Sequence, residues 1–346
     1  MDPLFLELLR IALGGDTSFR VKPTDAQWAA LYKTARKQSV AGLTAQALER
    51  LPDDQLPPLE LGRRWLGDRV RAARRNALSD TRASQLTAIF TEAGYRCCVL
   101  KGQGVARLYP DPSLRQSGDI DLWVIGDRDG ILSFLRSRYP VGRHVYHHAD
   151  VHFFEDMPVE IHFHPSFMYG LRRNVQLQRF FDAEAEAWDM EGGEETGFRY
   201  PKPLFDAVFS LSHIQKHIIN EGVGLRQVTD HHFILRALTD ADRVRYRDTA
   251  RALGLGPVAA AMAFVEREVF GPLATDPVFT PDPVRGRRLL EDIDQSGNFG
   301  RMDDRKEGRV ARWIRFLPDY PSEILSLPFR QLWEWTWRIL KGYVRL

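Results

Sequence analysis

Two aspartates at alternate positions of an apolar segment are the residues best placed to do chemistry. They lie in the segment SGDIDLWV, residues 117–124. Side chains of a strand alternate between its faces, so Asp119 and Asp121 are expected on one face, with Ile120 and Leu122 in the core. At about 6.6 Å along the strand, the two carboxylates can converge on two divalent ions about 4 Å apart. Aspartate disfavours strands, and two like charges on one face repel each other. The pattern therefore favours a bound cation between the aspartates over the alternative that they are ordinary exposed side chains of a surface strand.

A third carboxylate is expected from a neighbouring strand. Glu160 lies between two apolar residues, Val159 and Ile161, which are expected to face the core. The alternative is a surface glutamate on an edge strand. Magnesium prefers oxygen ligands and keeps waters for substrate phosphates. We therefore predict that Asp119, Asp121 and Glu160 hold two magnesium ions for an in-line phosphoryl displacement.

A lysine–glycine bend follows the predicted strand Arg96–Leu100. The Lys101 ammonium can act as a point charge on a phosphate. Gly102 and Gly104 let the backbone approach a phosphate closely, because they carry no Cβ. These residues predict phosphate binding beside the carboxylates, with Arg115 as a weaker candidate.

The combined pattern resembles a bacterial family, the uncharacterised nucleotidyltransferases, of the polymerase-β-type superfamily. The resemblance spans roughly residues 20–240. It rests on Leu-Lys-Gly (100–102), Leu-Tyr-Pro (108–110), Arg115, Gly-Asp-Ile-Asp-Leu (118–122), Val-Glu-Ile-His (159–162), and a later segment, 213–230. One departure is the Lys101-Gly102 pair, where the wider superfamily usually has Gly-Ser.

This resemblance implies the fold, the reaction and the substrate class. The expected fold is α/β (α+β), a minimal polymerase-β-like sheet flanked by helical regions. The expected reaction transfers a nucleoside monophosphate from a nucleoside triphosphate, with release of pyrophosphate. The acceptor stays open: a small molecule, a sugar phosphate, a protein side chain or an RNA end. The nucleotide-binding candidates are Lys101, Gly102, Gly104, Arg115, Ser117, Gly118 and Arg226.

Two alternatives remain at this stage. One is a catalytically idle nucleotide-binding or scaffold protein of the same fold. The other is a histidine-based metallohydrolase, because six of the ten histidines fall between His144 and His164. The hairpin histidines considered for such a metal site are His148, His152, His162 and His164. His213 and His217, four residues apart on a predicted helix, have no assigned role, and Arg226 and Asp230 share that spacing and could form an ion pair.

The chain is expected to form three segments. Residues 1–94 read as a helical N-terminal segment, 95–190 as the catalytic core and 198–346 as a C-terminal helical region. Within the core we predict a helix over Val105–Leu108, a strand over Asp119–Ile125, and a two-stranded hairpin of Arg143–Phe154 and Val159–His164. In the C-terminal region we predict a helix over Pro203–Asn220.

Composition narrows the classes of partner. The net charge is +2, from 48 basic and 46 acidic residues, without the basic excess of a dedicated duplex-DNA binder. Two cysteines and the absence of an evident signal peptide or spanning segment lead us to expect a cytoplasmic location. A tryptophan-rich C-terminal helix, Leu327–Leu346, could contact a membrane surface weakly.

Overall fold

A computed structural model describes residues 1–187, 190–193, 195–300, 302–303, 305 and 307–340. The described α-helices are α1 (Pro3–Ala12), α2 (Asp25–Lys37), α3 (Ala41–Thr44), α4 (Leu59–Glu92), α5 (Gly102–Ala106), α6 (Arg128–Arg136), α7 (Leu171–Ala187), α8 (Pro203–Asn220), α9 (Leu225–Ala237), α10 (Asp240–Ala252), α11 (Gly256–Phe270), α12 (Pro283–Ser296), α13 (Arg309–Phe316) and α14 (Pro321–Leu340). The strands are β1 (Arg96–Leu100), β2 (Ile120–Ile125), β3 (Val141–His144), β4 (His148–Val151), β5 (Val159–His162), β6 (Met190–Gly192) and β7 (Arg199–Pro201).

A mixed five-stranded sheet forms the centre of the molecule. Its strand order is β1-β2-β5-β4-β3, and β2 and β5 run parallel while the other neighbours run antiparallel. The register places Asp121 opposite Glu160 and Trp123 opposite His162. Since alternate residues share a face, all four side chains lie on the same side of the sheet.

Both faces of the sheet are covered, which explains its near-continuous apolar strands. One face packs Leu122, Val124 and Ile161 against α4 and α6 residues such as Phe90 and Leu135. The opposite face carries Trp123 and packs against the C-terminal helices in a second apolar cluster. The Trp123 ring stacks on Phe205 of α8 with their centroids 5.7 Å apart. The polar side chains of this face therefore point toward α8 and α9.

Several boundaries differ from the sequence prediction. The segment 143–154, predicted as one strand, forms the two strands β3 and β4, because the chain reverses over residues 145–147. The predicted helix Val105–Leu108 instead begins at Gly102, directly after Lys101 takes a positive φ of 52°. β2 begins at Ile120, so Asp119 lies in the preceding loop and not in the strand. The strand β1 and the helix α8 have the predicted bounds.

The C-terminal helix bears on the predicted membrane contact. The helix α14 is present over Pro321–Leu340, but the side chains of Trp333, Trp335 and Trp337 lie outside the described ones. In the part of the chain that the structure describes, no helix has both the length and the apolar character needed to cross a bilayer. Contact with a membrane surface stays a prediction.

Candidate functional site

A cavity of about 450 Å³ opens between the sheet and the helices α8 and α9. All three predicted catalytic carboxylates, Asp119, Asp121 and Glu160, line it. Asp121 and Glu160 are neighbours across the parallel β2–β5 ladder. Asp119 is exposed in the loop before β2 and reaches the cavity from its edge. The alternation of the strands thus brings two of the acids together, and the loop brings the third.

Asp121 is the most buried of these acids and already has two partners. Its carboxylate accepts a hydrogen bond from Lys101 Nζ at 3.0 Å, and His162 Nε2 lies 2.8 Å from the same oxygen. The Asp121 side chain is 5% exposed. Such a buried carboxylate needs these charged partners, because an isolated ion in a dry environment is strongly disfavoured.

The neighbouring charges decide the protonation of the three acids. Burial raises the pKa of the Asp121 carboxyl, but the Lys101 ammonium and the His162 hydrogen bond outweigh burial and lower this pKa well below its ordinary value. The Glu160 pKa is also lowered, since the hydrogen bond from His162 outweighs burial. The negative charge of Asp121 raises the pKa of Asp119. Asp121 and Glu160 are thus held as carboxylates.

Lys101 reaches this position through an unusual backbone conformation. Its φ of 52° and ψ of −126° turn the chain from β1 directly into α5. Such a conformation costs a non-glycine residue about 1–3 kcal/mol. Burial lowers the pKa of the Lys101 ammonium, but the charges of Asp121, Glu160 and Asp119 outweigh it and raise the pKa. Lys101 is therefore a fixed positive charge at the floor of the cavity.

Two histidines flank Glu160. His162 Nε2 lies 3.4 Å and His148 Nδ1 3.5 Å from Glu160 Oε2. The register explains this grouping, because β4 pairs with β5 and sets His148 opposite His162. Of the other hairpin histidines, His152 is exposed and His164 stacks on Tyr146 with centroids 4.7 Å apart. Within the described residues, His148, Glu160 and His162 form a group whose ligand atoms lie within 4.8 Å of one another.

Arg115 is held in a buried ion pair with Asp230. Its Nε and Nη2 each donate to Asp230 at 2.8 Å, and the Tyr109 hydroxyl donates to Asp230 at 2.7 Å. Asp230 thus pairs with Arg115 and not with Arg226, the partner considered from the sequence. Arg226 donates to the carbonyl oxygen of Gln116 at 3.1 Å.

The predicted nucleotide-binding residues divide into two groups. Five of them line the cavity: Lys101, Gly102, Arg115, Gly118 and Arg226. Gly104 and Ser117 are not among the lining residues. A Cβ at Gly104 would lie 2.9 Å from Tyr200 Cβ, so this glycine permits close packing against Tyr200. Ser117 Oγ lies 3.3 Å from Ser79 Oγ.

One face of α8 supplies cavity residues that the sequence prediction did not assign. They recur at helical spacing from Asp206 through His213 to Lys216 and His217. His213 and His217 place their Nε2 atoms 3.3 Å apart, and His217 Nδ1 lies 2.8 Å from Glu221. Burial lowers the pKa of Lys216 to about 8 and that of His217 to about 4.

Asp206 and Phe299 are the least expected members of the lining. Burial raises the pKa of the Asp206 carboxyl well above its ordinary value, and its Oδ1 is buried without a hydrogen-bond partner. Phe299 has a φ of 56°, which is rare for a bulky residue. Its ring lies 5.2 Å from the Arg226 guanidinium carbon and 4.8 Å from the His217 ring centroid. Only the spacing along α8 could have pointed to Asp206, and no local pattern marks Phe299.

Comparisons with known proteins identify the family of this chain. A comparison with curated proteins gives no match. The family model described as "uncharacterised nucleotidyltransferase" matches residues 24–271, a span that contains every cavity-lining residue except Phe299. The match covers well over half of the 346 residues. The chain therefore belongs to the uncharacterised nucleotidyltransferase family.

Proposed function

We propose that the protein transfers a nucleoside monophosphate from a nucleoside triphosphate to a hydroxyl or phosphate acceptor, with release of pyrophosphate. In this proposal Asp119, Asp121 and Glu160 hold two catalytic magnesium ions, and the sheet is of the polymerase-β type. The observation that carries the proposal is the pairing of Asp121 with Glu160 across parallel strands, at the floor of a cavity that Asp119 also lines.

The donor set fits magnesium. Three carboxylates offer only oxygen ligands, which this ion prefers. When bound, magnesium polarises phosphoryl oxygens and neutralises the charge that develops on them. The Lys101 ammonium now neutralises Asp121 at 3.0 Å, so it must share or yield this carboxylate. A lysine released from Asp121 is already beside the cavity floor, where it can bind a phosphate oxygen.

The proposed reaction forms one P–O bond and breaks another. An acceptor oxygen attacks the α-phosphorus, the bond from this phosphorus to the α,β-bridging oxygen breaks, and pyrophosphate leaves with the electron pair. For a hydroxyl acceptor, the proton passes to Glu160, a carboxylate that lines the cavity. Lys101 and the backbone at Gly102 hold the β- and γ-phosphates. A Cβ at Gly102 would meet nothing within 4 Å, so space for a phosphate adjoins this residue.

The base of the nucleotide has an aromatic surface available. Phe299 is half-buried, lines the cavity and has the Arg226 guanidinium 5.2 Å from its ring centroid. Every nucleobase can stack on such a ring, and stacking is tolerant of base identity. In the proposal the base lies against Phe299 while the phosphates reach Lys101.

One observation favours the catalytically idle alternative. Lys101 and His162 both contact the Asp121 carboxylate and compensate its negative charge. A nucleotide-binding protein without a catalytic metal would need the same compensation. The two functions differ in a measurable way. An idle protein binds the nucleotide without releasing pyrophosphate.

The test uses the full chain with magnesium, each of the four nucleoside triphosphates labelled at the α-phosphate, and a cell extract as a source of acceptors. Release of pyrophosphate and a labelled product are expected with at least one nucleotide. Asp121→Ala should abolish both, whereas Asp248→Asn, an exposed carboxylate on α10, should not. Circular dichroism checks that both variants fold. Full turnover by Asp121→Ala contradicts the proposed mechanism, and nucleotide binding without pyrophosphate release supports the idle alternative.

A further inference from the structure

The imidazoles beside Glu160 form a ligand set that magnesium does not require. We infer that His148, Glu160 and His162 bind one divalent transition ion of the zinc type. Imidazole nitrogen suits zinc and its neighbours in the series, while magnesium prefers oxygen alone. This site shares Glu160 with the proposed magnesium set but does not depend on nucleotidyl transfer.

The separations of the ligand atoms fit one small ion. Two atoms that each lie about 2.1 Å from a tetrahedral ion are about 3.4 Å apart. Glu160 Oε2 lies 3.4 Å from His162 Nε2 and 3.5 Å from His148 Nδ1. All three ligand atoms lie within 4.8 Å of one another. The site thus needs only a small movement of one ring to close around an ion.

The orientation of His162 has a second cause outside the group. Its Nδ1 lies 3.3 Å from the carbonyl oxygen of His164. A carbonyl oxygen can only accept, so Nδ1 carries a hydrogen and donates it there. His162 Nε2 also donates, to Asp121 Oδ1 at 2.8 Å, so an ion that binds Nε2 displaces this proton. Metal-binding histidines typically donate their second N–H to such a backbone carbonyl, which fixes the ring.

His148 adds an independent observation. Its Nδ1 is buried and has no hydrogen-bond partner, although it lies 3.5 Å from Glu160 Oε2. A buried polar atom without a hydrogen bond is costly, and such atoms in folded proteins usually have a partner. An ion between His148 and Glu160 supplies that partner. Three protein ligands also leave a coordination position for water or a substrate oxygen, as in catalytic zinc sites.

The test measures binding of Zn²⁺ alone to the full, metal-stripped chain, by competition with a chromophoric chelator. One equivalent should bind to the parent protein, and Mg²⁺ at the same concentration should not displace it. His148→Ala should weaken binding by at least about tenfold, since loss of even an outer partner typically costs about 10- to 100-fold. His152→Ala is the matched control, because His152 lies just after β4 but is exposed, and it should bind Zn²⁺ like the parent.

Three outcomes overturn the inference: no Zn²⁺ binding by the parent, equal affinity in His148→Ala, or an equal loss in His152→Ala. Glu160→Gln gives a second variant that keeps the side-chain shape and should also lose Zn²⁺. Neither measurement uses nucleotide. Failure of the zinc site therefore leaves pyrophosphate release untouched, and failure of nucleotidyl transfer leaves zinc binding untouched.

Discussion

The buried pair of Arg115 and Asp230 should be a main determinant of stability around the cavity. Arg115 is 5% exposed and Asp230 13%, and two 2.8 Å hydrogen bonds join them in a bidentate pair. The Tyr109 hydroxyl donates a third bond to the same carboxylate at 2.7 Å. The pair fixes the loop that leads to Asp119 against α9. We use Asp230→Ala as the perturbation.

The magnitude follows from what the substitution leaves behind. Removing one partner of a buried ion pair leaves the other charge uncompensated, which typically costs about 3–5 kcal/mol. The Tyr109 hydroxyl also loses its acceptor, and an unsatisfied buried group costs about 1–3 kcal/mol. These terms are not additive, so we expect the free energy of unfolding to fall by about 3–5 kcal/mol.

Urea unfolding followed by tryptophan fluorescence measures this loss. Asp248→Asn serves as the control, because an exposed substitution should change the free energy of unfolding by less than about 0.5 kcal/mol. Asp230→Leu combined with Arg115→Met should recover much of the loss, since apolar residues of similar volume can replace a buried pair. A loss below about 1 kcal/mol for Asp230→Ala, or a double variant as unstable as the single one, would refute this reasoning.

Three further predictions concern other sites. Burial raises the pKa of Glu266 from 4.5 to about 8, so the folded state binds this proton more tightly than the unfolded state. The free energy of unfolding therefore falls as the pH rises through that interval. In urea unfolding, Glu266→Gln should remove this fall and be roughly 3–5 kcal/mol more stable than the parent above pH 8. Phe299→Ala should raise the KM for the nucleotide by about 5- to 150-fold, because a stacking contact contributes about 1–3 kcal/mol. Phe279 is also half-buried, and Phe279→Ala should leave the KM unchanged. Equal KM values in both variants would remove Phe299 from the nucleotide site. Burial raises the pKa of Cys97 to about 12 and that of Cys98 well above its ordinary value. A thiol reagent should therefore label both cysteines only after unfolding, and rapid labelling of the native protein would contradict this burial.

Short-range regularities were enough to predict much of the candidate site. The alternation of strand side chains predicted that Asp121 and Glu160 would each point away from apolar neighbours in the core, and the register sets the two acids opposite each other. The same regularity predicted β1, and helical periodicity predicted α8 with its observed bounds. These features depend on neighbours within a few residues, so the sequence alone carries them.

Other features depend on residues far apart in the chain. The sequence offered both Arg115 and Arg226 as partners for a phosphate, but packing of α9 against the loop before β2 gives Asp230 to Arg115 across 115 positions. Phe299 enters the cavity through a turn with a φ of 56° that no local pattern predicts. Long-range packing alone selects such contacts, because many partners satisfy the same local preferences.

The sequence by itself determined the chemistry that is available: three acids, a lysine–glycine bend and a histidine-rich hairpin. The tertiary structure decided which of these groups meet. It divided the predicted strand 143–154 into β3 and β4, it set His148 opposite His162 across the β4–β5 pair, and it left His152 exposed. A reversal of one chain segment changes the pairing partner of every residue beyond it. The distances between the histidines and Glu160 are therefore set by strand pairing across the sheet and not by their spacing in the sequence.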